Sequence, residues 1–262
     1  MPSPPLDPTR YRSAAAHYVQ GRVPYSQALI RRVAEVTGLA QSHRVLDLGC
    51  GPGMLARGFA PYTGEVVAID PSTEMLTVAR AQAAAEAKIR FLEGSSYTIG
   101  PELGRFQLVV MGRSFHWMDR VDTLRRLDGM IEPAGAVALF HDSAPAVPAN
   151  AWRQLWRDIR KRHEAGAEPH AGPNHHGPDW IRHEAILLDS PFSRLEHFGV
   201  IERRALDIET LVQRTLSMSS TSPSRLGDKA SAMIADLRAA LADVCEEVVE
   251  TDALVAWRPN LR

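Results

Sequence analysis

"VLDLGCGPG", Val45 to Gly53, is the stretch whose reading decides the fold. Val45, Leu46 and Leu48 surround Asp47 in what reads as a short buried strand, and glycine then takes positions 49, 51 and 53. Glycines directly after a buried strand and ahead of a helix let the backbone turn sharply and approach a ligand that side chains would exclude. The spacing narrows the ligand. A dinucleotide fingerprint G-x-G-x-x-G counted from Gly49 requires glycine where Met54 stands, and no Lys-Ser or Lys-Thr pair follows to make a phosphate loop. The ligand expected here has no pyrophosphate to cradle.

Outward from that stretch, short apolar runs alternate with longer polar or helical segments between Arg44 and His141: RVLDLG, EVVAID, IRFLEG, FQLVVM and AVALFH. Near-continuous apolar strands alternating with helices imply a mostly parallel sheet covered on both faces. Asp70 closes the second run, and Pro71-Ser72-Thr73-Glu74 opens a helix expected to continue through MLTVARAQAAAEAK. Upstream, four prolines in the first ten residues predict an extended arm, and Tyr11 to Gly38 reads as helical with Ala28, Leu29, Val33 and Val36 on one stripe. Beyond Ser143, Trp152, Leu155, Trp156 and Ile159 mark an amphipathic helix whose tryptophans are expected in its core face. A Gly/Pro/His/Asn loop follows, with strands expected near Phe192–Leu206 and Val248–Trp257 and helices near Ile208–Ser217 and Arg225–Glu246.

Composition excludes several function classes. Thirty Lys+Arg against 31 Asp+Glu provide no global positive field for nucleic acid or anionic lipid. No run approaches the ~20 apolar residues of a membrane span, and the N-terminus does not read as a signal peptide. Two cysteines, Cys50 and Cys245, build no disulfide framework, so a cytoplasmic setting is expected. His170, His175 and His176 lack metal-ligand spacing and are taken as loop residues, so no metal is expected.

Taken together, D-x-G-x-G-x-G after strand one, Asp70 after strand two, "EGSS" (Glu93 to Ser96) after strand three and "FQLVVMGRSFHWMD" around strand four resemble a class I S-adenosylmethionine-dependent methyltransferase. The chain is most similar to the small-molecule branch with ubiquinone/menaquinone-type and trans-aconitate-type enzymes. The resemblance covers about residues 11 to 142. It implies an α/β, Rossmann-like, doubly wound, seven-stranded, mostly parallel sheet with a helical N-terminal lid and helical insertions in the C-terminal half. The expected divisions are an arm and lid (1–40), a cofactor-binding core (41–142), a helical and loop cap (143–190) and the last strands and helices completing the sheet (191–262).

The resemblance also implies residue roles. Asp47, Gly49, Cys50, Gly51 and Gly53 would meet the methionine part of S-adenosylmethionine, Asp70 the ribose hydroxyls, and Pro71 and Met75 the adenine. Where the family often has an aspartate after strand three, this chain has Gly94-Ser95-Ser96, so Ser95 or Ser96 is expected at the adenine amino group. Met111, Gly112 and Arg113 would line the methionine end. "GRVPY" resembles the branch's N-terminal lid, which implicates Tyr11, Tyr18, Arg22 and Tyr25.

Ligands of open α/β sheets bind beyond the carboxyl ends of the strands. Ser114, Phe115, His116 and Trp117 after strand four, and His141 and Asp142 after strand five, are therefore substrate-side candidates. His116 and His141 are the candidate general bases, each with packing as its competing role. The acceptor expected is a small organic molecule (organic acid, phenol, amine or secondary metabolite), with S-adenosylhomocysteine as the second product; the alternative is a cofactor-binding protein of the same fold that is non-catalytic or catalyses a non-methyl reaction. Strand four is followed by neither an N/D-P-P-Y/F box nor a Pro-Cys box, which argues against nucleic-acid methylation. The sequence is compatible with a homodimer.

Overall fold

The computed structural model describes residues 15–164 and 180–259. Seven strands form one sheet in the order β3-β2-β1-β4-β5-β7-β6. They are β1 (Arg44–Leu48), β2 (Glu65–Asp70), β3 (Ile89–Glu93), β4 (Phe106–Gly112), β5 (Ile131–Ser143), β6 (Arg194–Ala205) and β7 (Glu246–Trp257). β1 to β5 pair in parallel, whereas β7 runs antiparallel to both β5 and β6. All seven expected strands form.

Alternation along the central strands explains the two covered faces. Val45, Val66, Leu108 and Val110 point to one side and pack with α2 (Gln27–Val36) and α3 (Met54–Phe59). Leu46, Leu48, Val67 and Val109 point to the other, under α5 (Arg120–Asp128) and α7 (His183–Leu188). A third apolar cluster stands apart from both. It joins Trp156 and Ile159 of α6 (Trp152–Glu164) to Leu211 and Val212 of α8 (Ile208–Leu216), and to Met233 and Leu237 of α10 (Lys229–Leu241). Trp156 is anchored further by its indole N–H, which donates to Thr215 Oγ1 at 2.9 Å.

Three expected helices are shorter than their sequence patterns. The single helix over Tyr11–Gly38 is two, α1 (Ala15–Gly21) and α2, because Pro24 lies between them and lacks the N–H a continuing helix needs. The buried stripe of α2 is Leu29, Ile30, Val33 and Ala34, so Ala28 and Val36 lie at its margins. The alanine-rich helix after Asp70, α4 (Thr73–Gln82), stops six residues before Lys88, because the chain must turn at 83–88 to reach β3. The helix expected over Arg225–Glu246 is split into α9 (Pro223–Leu226) and α10 by Gly227, whose φ of +53° a helix cannot contain. Cys245 and Glu246 belong to the approach and start of β7. Among the described residues, no helix is long and apolar enough to cross a membrane. Tyr11, the Pro-rich arm and the loop with His170, His175 and His176 lie outside the described residues.

Candidate active site

β1 and β4 are neighbours whose following helices, α3 and α5, cover opposite faces, so a crevice opens at their carboxyl ends. A cavity of about 180 Å³ fills it. Gly49 and Gly51 form its floor, Asp70, Pro71, Ser72 and Met75 one wall, and Ser95, Ser96 and Tyr97 the next. Gly112, Arg113, Ser114, Trp117 and Met118 close the opposite side, with Tyr18 of α1 across the mouth. A smaller hollow of about 30 Å³ shares Tyr18, Gly49, Gly51 and Arg113 and reaches Asp47, Cys50 and Tyr25.

The bare backbone of the opening motif has a visible cause. Gly49 has φ of +72°, and a Cβ there would come within 2.6 Å of Ser114 Cβ, so only glycine fits between β1 and β4. At Gly51, also left-handed at φ +53°, a Cβ would meet no atom within 4 Å, and a side chain would take up cavity space instead. Gly53 lines neither hollow; it is the residue that caps the start of α3.

Two buried carboxylates organise the loop. Asp70 accepts from the Gly51 N–H at 2.8 Å and from the Ser72 N–H at 2.9 Å, which ties the tip of β2 to the glycine turn. Burial raises its pKa, and those two hydrogen bonds oppose the rise. Each oxygen keeps a lone pair for a further donor. The helix-start role also applies to this corner, but through Ser72, whose hydroxyl accepts from the Met75 N–H at 3.2 Å. Asp47 accepts from the Ala56 N–H at 2.9 Å in the first turn of α3. Burial pushes its pKa up to about 7, against the pull of that bond.

Arg113 sits at the end of β4 with φ of +56°, a rare conformation for a residue with a side chain. Three contacts hold it there: an ion pair with Asp142, a 2.6 Å hydrogen bond to the Val23 carbonyl, and the Tyr25 ring 4.5 Å from its guanidinium carbon. Burial alone would raise the pKa of Asp142, but Arg113 and Arg22 hold the carboxyl below its usual range. Arg22 lies over the Tyr18 ring at 4.9 Å and donates to the Ser217 carbonyl at 3.0 Å.

Other expected positions fall elsewhere. The Met111 and Phe115 side chains are not at the cleft; both are buried in the core under α5, because alternation turns Met111 to that face and the turn after β4 tucks Phe115 beneath. Ser114 and Trp117 line the same cavity as the glycines, and the Ser114 hydroxyl donates to the Leu48 carbonyl at 2.9 Å. The His116 ring lies tilted against Trp117, with centroids 4.9 Å apart, without lining that cavity. His141 stacks on His183 at 5.5 Å, and burial lowers its pKa.

Sequence reasoning did not mark Tyr97, Met118 or His183. Tyr97 directly follows Ser96 and Met118 directly follows Trp117, so extending each motif by one residue would have found them. His183 carries no such signal, being brought to His141 by α7. Among the described residues, no group of His, Cys, Asp and Glu side chains is arranged to hold a metal ion.

Residues 45–135 match the family model described as "Methyltransferase domain". The chain is 31% identical over 173 residues to malonyl-[acyl-carrier protein] O-methyltransferase of Enterobacter lignolyticus, covering 64% of each chain. It is 36% identical over 106 residues to trans-aconitate 2-methyltransferase of Delftia acidovorans, covering 38% of each. The chain thus spans less than two thirds of the length of these relatives. A solved structure from Anaeromyxobacter dehalogenans, described as a candidate type II methyltransferase, superposes with a TM-score of 0.62 at 19% identity, covering 90% of this chain and 97% of that one. At that identity the likeness shows the shared fold.

Proposed function

With residues 45–135 belonging to the class I S-adenosylmethionine-dependent methyltransferase family, we propose that this chain binds S-adenosylmethionine between β1 and β4. It moves the methyl group to an O, N or C atom of a small organic molecule and releases S-adenosylhomocysteine. One observation carries the reading: Asp70, fixed by two backbone N–H groups, faces a cavity floored by glycines that no side chain fills. An acidic acceptor with spare lone pairs beside bare backbone and the apolar Pro71, Met75 and Trp117 fits a nucleoside joined to an amino acid.

In this reading Asp70 accepts from the ribose hydroxyls, and Pro71, Met75, Ser95 and Ser96 bracket the adenine. Asp47, Gly49, Cys50, Gly51 and Arg113 hold the methionine end, with Gly53 shaping the turn. The chemistry supplied by the bound cofactor is a methyl group already activated on sulfur, so the protein's task is alignment of the acceptor. Tyr18, Arg22 and Tyr25 close one side of the cleft and keep water from the reacting centre. His141, whose pKa burial lowers, and His116 are the candidate bases for a hydroxyl or protonated-amine acceptor, and both lie outside the lining of the cavity. The reading includes a cytoplasmic setting, with Cys50 and Cys245 as thiols, and is compatible with a homodimer.

Calorimetric titration tests it. S-adenosylmethionine and S-adenosylhomocysteine are expected to bind at micromolar concentration and NAD not at all. Asp70→Ala should weaken binding by roughly 5- to 150-fold, about 1–3 kcal/mol for loss of a charged acceptor. Folded protein that ignores both sulfur compounds, or prefers NAD, would overturn the assignment.

A further inference from the structure

A cluster of arginines lies beside the cleft, from the end of α1, α6 and α8. Arg214 forms a two-pronged ion pair with Glu247, at 2.5 and 2.7 Å, and donates from Nε to the Gly21 carbonyl at 3.0 Å. Arg153 reaches the same Glu247 only at 3.5 Å. Arg160 pairs with Glu164 at 3.0 Å and donates to Ser220 Oγ at 3.2 Å. Arg22 donates to a carbonyl, and Arg113 shares Asp142. Five guanidinium groups therefore face three carboxylates, Asp142, Glu164 and Glu247, where ionised groups are costly unless paired.

The donors show the same excess. The Nε atoms of Arg22, Arg153 and Arg160 and the Trp152 indole nitrogen are buried, and none has a hydrogen-bond acceptor among the described residues. Burial lowers the pKa of Arg153 and of Arg160, with Glu247 and Glu164 opposing only in part. The guanidinium carbons lie over aromatic rings: Arg22 over Tyr18 at 4.9 Å, Arg153 over Trp152 at 5.1 Å and Arg160 over Trp156 at 4.9 Å. A guanidinium whose face rests on a ring still offers its N–H edge, the edge that matches a carboxylate in its plane. The Arg214–Glu247 fork shows that match within the same cluster.

Tyr18, beneath Arg22, and Arg113, paired with Asp142, join this cluster to the cleft, since both line its cavity. We propose that the methyl acceptor is a small organic acid whose carboxylate docks on Arg22, Arg153 and Arg160, which sets the acceptor beside the methyl donor. The proposal rests on the reading of the cleft as a methyl-donor site, but the anion site is tested separately.

The full chain, alone and saturated with S-adenosylhomocysteine, is titrated calorimetrically at constant ionic strength with succinate, tricarballylate, succinamide and inorganic phosphate. The two carboxylates are expected to bind at least tenfold more tightly than succinamide or phosphate. Arg153→Gln and Arg160→Gln should each weaken carboxylate binding at least tenfold and leave the affinity for S-adenosylhomocysteine within twofold. Protein that binds S-adenosylhomocysteine but not the carboxylates would overturn the acid site and leave the donor reading standing. Carboxylate binding without S-adenosylhomocysteine binding would do the reverse. Phosphate binding as tightly as tricarballylate would also overturn the carboxylate assignment. Should a variant fold poorly, thermal shifts of the unmodified chain decide: a rise in Tm with tricarballylate that succinamide does not produce supports the site, and equal shifts refute it.

Discussion

Asp47 shows how one buried carboxylate ties β1 to the start of α3. Its carboxylate accepts from the Ala56 N–H at the start of α3, and burial raises its pKa to about 7. The folded chain therefore keeps a proton that the unfolded chain releases near pH 4. The stability tied to this group is fully present below pH 4, falls as pH rises from 4 to about 7, and is level above that. Asp47→Asn keeps an oxygen for the Ala56 N–H and removes the titration. Between pH 5 and pH 8 the variant should lose less Tm than the unmodified chain, with a difference on the order of a few kcal/mol in unfolding free energy. Identical pH profiles would mean that Asp47 is ionised in the fold without cost. Asp142 and Arg113 complement this case. The sequence marks each as lying beyond a strand end, and only the fold makes them an ion pair that anchors a left-handed residue at the cleft.

At the scale of elements, α1 is positioned by a close approach rather than by apolar bulk. A Cβ on Gly21 would lie 2.3 Å from the Arg214 backbone nitrogen, so α1 and α8 touch backbone to backbone there. Gly21→Ala must push the end of α1 away from α8 and carry Tyr18 with it. Affinity for S-adenosylhomocysteine is expected to fall at least tenfold, and limited proteolysis should cut first near α1. An unchanged affinity would show that α1 takes no part in closing the cleft. The strands behave differently. β1, β2 and β4 are buried on both faces, so their apolar runs are nearly continuous and their ends coincide closely with the sequence runs. Helix ends depend on where the chain must next go, which is why α4 stops before its alanine-rich pattern does.

Across the whole molecule, three apolar clusters divide the work: two flank the sheet, and the third joins α6, α8 and α10. Trp156 lies at the centre of the third cluster. Trp156→Ala should cost about 3–5 kcal/mol, read as a lower denaturant midpoint. One transition is expected, because Glu247 of β7 binds Arg214 of α8 and links that cluster to the sheet. Two separate transitions would show that the helical part folds on its own. The sequence by itself determined the sheet and the turns that line the cleft: strands buried on both faces have an apolar signature, and glycines at 49 and 51 with Asp70 at a strand tip are local patterns. It marked Arg22 and Arg113 singly, through the resemblance of GRVPY and of the strand-four stretch to the methyltransferase family. Only the tertiary structure decided that Met111 and Phe115 face the core, that His183 meets His141, and that arginines from α6 and α8 gather with Arg22 around too few carboxylates. The physical reason is distance along the chain. Periodicity and turn chemistry act over a few residues, whereas Arg22, Arg153 and Arg214 are brought together only when α1, α6 and α8 pack against the end of the sheet.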